Sequence, residues 1–305
     1  MKKPTRQGAR LGAALALALL TGCSAAARGA APATREQAPA TREQAPAEQT
    51  TGDLTLPAFT DVRVDAVTTD VSFRYGSGYA LHYELPAGEL LEQAEVQDGT
   101  LLFRTESEPG SSLPYNGQLV ITLPEDTELG EIRVDTSFGG LTFDGRADSL
   151  VYDTSSGDAE IGGVLAGSAE VYTSFGSLTF DGQANSLVYD TSSGDAEIGG
   201  VLADSLEVDT SFGSLRFTGQ TASLDFESSK GGAQVTGKIT DTLQMNTTTG
   251  PLTATLPDPA LHAETGGKLT VDGVEQAGSF SRQGSGCSAR ITSSRGDITI
   301  TTRAQ

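Results

Sequence analysis

The chain has 305 residues, with 20 Lys and Arg against 40 Asp and Glu, and a formal charge of −20. That balance excludes nucleic acid and anionic headgroups as partners drawn by charge, and it suits solubility and attraction of cations. Two cysteines, Cys23 and Cys287, are too few for a disulfide framework.

Residues 1–22 read as an export signal. Lys2, Lys3, Arg6 and Arg10 precede an apolar run from Leu11 to Leu20 that is too short to span a bilayer. The run ends in Leu20-Thr21-Gly22-Cys23, which resembles the bacterial lipoprotein box: an aliphatic residue, two small ones, then cysteine. The resemblance implies cleavage before Cys23 and attachment of lipid, with acyl chains such as palmitate, to its sulfur. Removing the four basic residues takes the charge of the mature chain to −24. The acyl chains are expected to hold the protein on the outward side of the cytoplasmic membrane, or of an outer membrane where one exists, without a transmembrane helix.

Residues 23–52 read as a tether. Ala-Pro-Ala-Thr-Arg-Glu-Gln occurs at 31–37 and again at 38–44, and no large apolar residue is present to bury. Residues 53–131 read as an N-terminal β region and cap. Asp61 to Asp65 and Asp70 to Arg74 alternate, Leu101 to Phe103 and Leu119 to Leu123 are further strands, and Asp98-Gly99 and Asn116-Gly117 are turns.

Residues 132–260 carry a regular beat. Gly139, Gly157, Gly176, Gly194, Gly213, Gly231 and Gly250 recur at alternating intervals of 18 and 19, and residues 149–166 and 186–203 are identical. A short fixed period is the signature of a solenoid. Within each unit the apolar period is two, as in Ile132/Val134 before the glycine and Leu141/Phe143 after it, so each coil holds two short strands. The glycine is expected to supply a positive φ at the corner. Second-strand pairs alternate bulky Leu/Phe with smaller Ala/Ile, which predicts interdigitation of successive layers and a 37-residue super-period. Residues 261–305 read as a C-terminal coil and cap, with a strand at 268–271 and the last coil at Ala289/Ile291 and Ile298/Ile300.

The expected fold is all-β: a parallel β-solenoid of about 18.5 residues per coil with irregular β caps. Its seven regular coils would make a rod on the order of 34 Å. The irregular β start, then coils such as Ile132-Arg-Val-Asp-Thr-Ser-Phe-Gly139 followed by Leu141 and Phe143, resemble the bacterial putative-adhesin, β-strand-repeat domain of unknown function over roughly 55–303. The resemblance implies a single-stranded, right-handed β-helix on an exported or membrane-bound protein. It supplies no catalytic residues.

The residues themselves argue against an enzyme. His82 and His262 are the only histidines and lie in different regions, so a zinc site or a Ser-His-Asp triad lacks parts. Cys287 reads as an inert thiol. Arg295-Gly296-Asp297 reads as the Ser-Ser-Gly-Asp corner with an inserted arginine. Polysaccharide-cleaving β-helix enzymes would need a basic residue beside carboxylates, and the repeats are nearly free of Lys and Arg.

Two outward columns are the candidate sites. Asp135, Asp153, Asp190, Asp209 and Glu227 share one position before the corner, interrupted by Tyr172, and Ca²⁺ is the cation such carboxylates would take. The bland alternative is a solvated acidic face relieved by salt. Phe138, Phe175 and Phe212 share the third corner position, where a stacking ladder for a glycan is weighed against rings that seal the corner. The expected function is a non-enzymatic, lipid-anchored surface protein presenting a repetitive acidic face. Cell-wall or host glycans or envelope proteins are its expected partners, and nucleic acid is not. The alternative is a structural or sensory accessory of an envelope-stress system.

Overall fold

The period-two alternation becomes two parallel sheets wound from one chain. The computed structural model describes residues 49–113 and 116–302. Every regular element there is a strand, and among the described residues no helix is long and apolar enough to cross a membrane. Cys23, the signal and the tether up to residue 48 lie outside the described residues.

Each regular coil runs from a longer strand, through the glycine corner, to a shorter strand. The series is Glu128–Thr136 with Leu141–Phe143, Arg146–Thr154 with Ala159–Ile161, Ser168–Thr173 with Leu178–Phe180, and Gln183–Thr191 with Ala196–Ile198. It continues with Val201–Thr210 and Leu215–Phe217, Gln220–Ser228 and Ala233–Val235, then Lys238–Thr247 and Leu252–Leu256. Longer strands stack in one sheet and shorter strands in the other, in parallel register. Every apolar pair of the repeat is buried in one continuous core.

Large and small residues compensate chiefly within a coil, across the two sheets. Leu150 and Tyr152 share a coil with Ala159 and Ile161, whereas Ala169 and Val171 share the next with Leu178 and Phe180. Leu224 and Phe226 go with Ala233 and Val235 in the same way. Each layer thus keeps a similar filled volume, which close packing of a thin core requires. The 37-residue super-period records which sheet carries the large side chains.

The corner glycines have a different cause from the one expected. None of the seven has a positive φ. Instead, a Cβ at Gly157 would overlap the carbonyl oxygen of Gly139, one at Gly176 that of Gly157, and so on through Gly194, Gly213, Gly231 and Gly250 to Gly296. The corners stack too closely for any side chain. In most coils the residue three before the glycine completes the turn: the amide of Gly139 donates to Thr136 Oγ1 (2.8 Å), that of Gly213 to Thr210 Oγ1 (2.9 Å), and that of Gly296 to Ser293 Oγ (2.7 Å). At Gly157 and Gly194 the preceding amides, of Ser156 and Ser193, donate instead to Thr154 and Thr191 Oγ1 (3.3 Å each). In the coils with tyrosine, the buried hydroxyls of Tyr152 and Tyr189 donate to the carbonyls of Gly139 and Gly176 at 2.5 and 2.6 Å.

Chain order and spatial order part company at both ends. The coil Asp61–Ala66/Thr69–Gly76 lies between Thr100–Ser107/Gly117–Pro124 and the first regular coil. At the other end, Ser288–Ser293/Ile298–Thr302 is inserted between Lys238–Thr247/Leu252–Leu256 and Ala260–Thr265/Leu269–Val271. The coil expected to be last is therefore the penultimate layer. Eleven layers result, a stack of roughly 50 Å at strand spacing.

Antiparallel strands pair with the outermost layers at both ends, so cap strands form the sheet edges. Thr50–Thr55, Ala80–Leu85 and Glu89–Gln97 cap one end; Val274–Gln276 and Ser279–Arg282 cap the other. Residues 50–52, expected in the tether, belong to the first of these strands. Asp98-Gly99 and Asp272-Gly273 turn hairpins with both residues at positive φ, the primed geometry that fits strand twist. Asn116-Gly117 is not such a turn: Gly117 opens the strand Gly117–Pro124, and a Cβ there would press on the carbonyl of Glu84. Beside Thr69 the buried Glu89 carboxylate accepts from the hydroxyls of Thr68 (2.6 Å), Thr69 (3.0 Å) and Thr105 (2.5 Å).

Candidate binding face

Stacked corners repeat whatever they carry, so the third corner position forms a row along the rod. Phe138, Phe175 and Phe212 stand there with 53%, 68% and 58% of their surface exposed. At two layers' spacing they are about 9.6 Å apart. Ser156 and Ser193 fill the intervening places, and the amides of Phe175 and Phe212 bond to the carbonyls of Ser155 and Ser192. These bonds fix the backbone while leaving the rings outside the core. Lys230 follows in the row, its Nζ 4.8 Å from the centre of the Phe212 ring.

Beside this row, on the outer face of the shorter-strand sheet, are two clefts of about 550 and 540 Å³. Phe138 forms one wall of the first. Sequence reasoning missed the residues that build its base. Asp70 Oδ1 accepts from the amide of Gly140 (2.7 Å) and from Asn116 Nδ2 (3.0 Å), and Asn116 Nδ2 also donates to the carbonyl of Phe138 (3.2 Å). The same device recurs in the repeat: Asp158 Oδ1 accepts from the amide of Ser177 (2.8 Å) and Asp195 Oδ1 from that of Ser214 (2.7 Å). Its signal was the alternation of Gly-Asp with Gly-Ser at the corner.

The acidic column is in register, as the spacing predicts. Asp135 pairs with Asp153, Asp153 with Tyr172, Tyr172 with Asp190, Asp190 with Asp209, and Asp209 with Glu227. Arg133 holds Asp135 through two bonds of 2.8 and 2.9 Å. Partial burial, then the Asp135 charge, raises the Asp153 carboxyl above its usual range; partial burial, then Asp209, does the same for Asp190. Tyr172, shielded and bonded to Glu170, is pushed up to about 12. The carboxylates of the column stand in single file, with Tyr172 in the place of one of them. Among the described residues, no three or more His, Cys, Asp or Glu side chains gather to hold a metal ion.

Other residues weighed for chemistry have structural partners. His82 Nδ1 lies 2.8 Å from Asp53 of the N-terminal cap strand, and His262 Nδ1 lies 2.9 Å from Ser281 Oγ of the C-terminal one. Cys287 is buried, which pushes its thiol up. Within Arg295-Gly296-Asp297, the glycine belongs to the corner stack and Asp297 Oδ1 accepts from the amide of Lys268 (2.8 Å).

Solved structures to which the chain is similar include a putative adhesin from Parabacteroides distasonis, at 13% identity over 83% of this chain and 97% of that one, TM-score 0.48. A putative adhesin from Bacteroides fragilis is 14% identical over 84% and 97%, TM-score 0.41. A putative lipid binding protein from P. distasonis is 13% identical over 82% and 96%, TM-score 0.43. The comparison with curated proteins gives no match. Residues 59–301, nearly the whole stack of layers, match the Toastrack DUF4097 family, and the chain belongs to that family.

Proposed function

We propose that this protein is a non-enzymatic surface lipoprotein. In this reading Cys23 carries the lipid, the proline-rich segment lifts the body from the membrane, and the layered body presents a repeated face for binding. The observation that carries the reading is the row of three rings at one corner position, each more than half exposed. Exposed aromatic rows cost solubility and contribute nothing to a core they do not enter, so they mark a contact surface. The test replaces Phe138, Phe175 and Phe212 together with serine, the residue that Ser156 and Ser193 already place there. Retained melting temperature with lost capture by cell-wall polysaccharide or envelope proteins is the expected outcome. A clear fall in melting temperature with unchanged capture would make the rings a corner seal. Cys23→Ala is expected to release the protein from membranes after a salt wash, without altering its melting.

A further inference from the structure

We propose that the cleft beside Phe138 binds a segment of a neutral, hydroxyl-rich glycan. This rests on the binding-face reading and adds to it a ligand class and a principal subsite. The cleft holds about 550 Å³, within the range of about 300–1,000 Å³ typical of small-ligand sites. One wall is the Phe138 ring; Ser72, Asn116, Gln118, Thr142 and Ser156 add uncharged donors and acceptors. A sugar ring has the matching chemistry, with a C–H face to lie on an aromatic ring and a rim of hydroxyls that need hydrogen bonds once taken from water.

The charged residues narrow the class. Asp70, Asp158 and Glu160 also line the cleft, and among the described residues no Lys or Arg does. A uronate, sulfate or phosphate polymer would meet like charge with no counter-charge. Asp70 and Asp158 are each already bonded to a backbone amide of the next layer, so they are fixed acceptors for hydroxyl protons. The base is held before any ligand arrives, because Asn116 ties Asp70 to the Phe138 turn. Such prior fixing lowers the ordering cost of binding.

Direction along the rod follows from the row. A chain leaving the cleft toward the C-terminal layers meets Phe175, the most exposed of the three rings, and then Phe212, which lies beneath Lys230. Phe138 is therefore the principal subsite, Phe175 an extension and Phe212 a minor one.

Calorimetric titration of the full-length protein tests this, with β-1,4-linked hexamers of glucose and of N-acetylglucosamine as neutral probes. A glucosamine hexamer and a polyuronate serve as cationic and anionic probes. At least one neutral hexamer is expected to bind, and Phe138→Ser to weaken it about tenfold, with Gln118→Ala weakening it less and neither variant changing the melting temperature. Phe212→Ser should matter least, and the polyuronate should not bind. The proposal is overturned if no neutral hexamer binds, if only a charged probe binds, or if Phe138→Ser binds as the wild type does. Should envelope capture still depend on the three rings while no neutral hexamer binds, the glycan inference fails and the binding-face reading stands.

Discussion

Gly213 has no side chain because the carbonyl oxygen of Gly194 occupies the place where one would begin. That reason is separable by experiment from a need for positive φ. Asparagine tolerates the left-handed region better than alanine does, so a φ requirement would favour Gly213→Asn over Gly213→Ala. Stacking predicts the reverse or no difference, with each variant losing ~3 kcal/mol in denaturant melts because the layers must move apart. Residue-scale electrostatics makes a second prediction. The raised carboxyls of Asp153 and Asp190 cost stability while charged, and that cost is relieved as pH falls from neutrality through their native values, which stand above the ordinary 3.8. Asp258 and Asp272 are lowered, chiefly by bonds from Ser285 and from Thr302 respectively, and their contribution is lost on further acidification through their native values. The melting temperature should therefore rise and then fall along an acid titration. Asp190→Asn should raise it at neutral pH by no more than about 2 °C, since the group, though partly desolvated, is more than a third exposed and is screened. Equal midpoints with calcium and with chelator at fixed ionic strength are expected, because the column offers no convergent ligand set.

The cap strand Thr50–Thr55 is held at an edge by strand Ala80–Leu85, with His82 bonded to Asp53 and Glu84. These partners raise the His82 pKa, the Asp53 hydrogen bond most. A raised histidine contributes fully below its unfolded value of about 6.5 and less as pH rises through its native value. Amide exchange in this strand, corrected for intrinsic rate, should accelerate from mildly acidic to mildly alkaline pH, and His82→Gln should remove the change. At this scale the regular coils were legible in the sequence, since Leu150/Tyr152 or Leu215/Phe217 can only alternate into a core. The end layers were not. Nothing local in Asp61–Ala66 or Ser288–Ser293 states that each will be overtaken by another coil, because that order depends on which edges remain free to pair. The exposure of the rings follows from their place outside the alternation, whereas the cleft at Phe138 depends on Asn116 arriving from a distant segment.

Taken whole, the body is a stack of layers in which each touches chiefly its neighbours, so its stability should be close to a sum over layers and interfaces. The duplication of residues 149–166 as 186–203 makes this testable without a new junction. Deleting residues 167–203 joins Ala166 to Asp204 in the sequence context that Ala203 already has, and it recreates the interface between a Tyr coil and the coil of Val208. The deletion also removes Phe175 and brings Phe138 and Phe212 to two layers' separation. Melting this variant and titrating it on cell-wall polysaccharide asks whether the layers are interchangeable and whether the corner row they carry does the binding. One cooperative transition within a few degrees of the wild type, with weakened binding from the shorter row, is the predicted result. An unfolded chain, or binding undiminished by the loss of Phe175 and its layers, would contradict it.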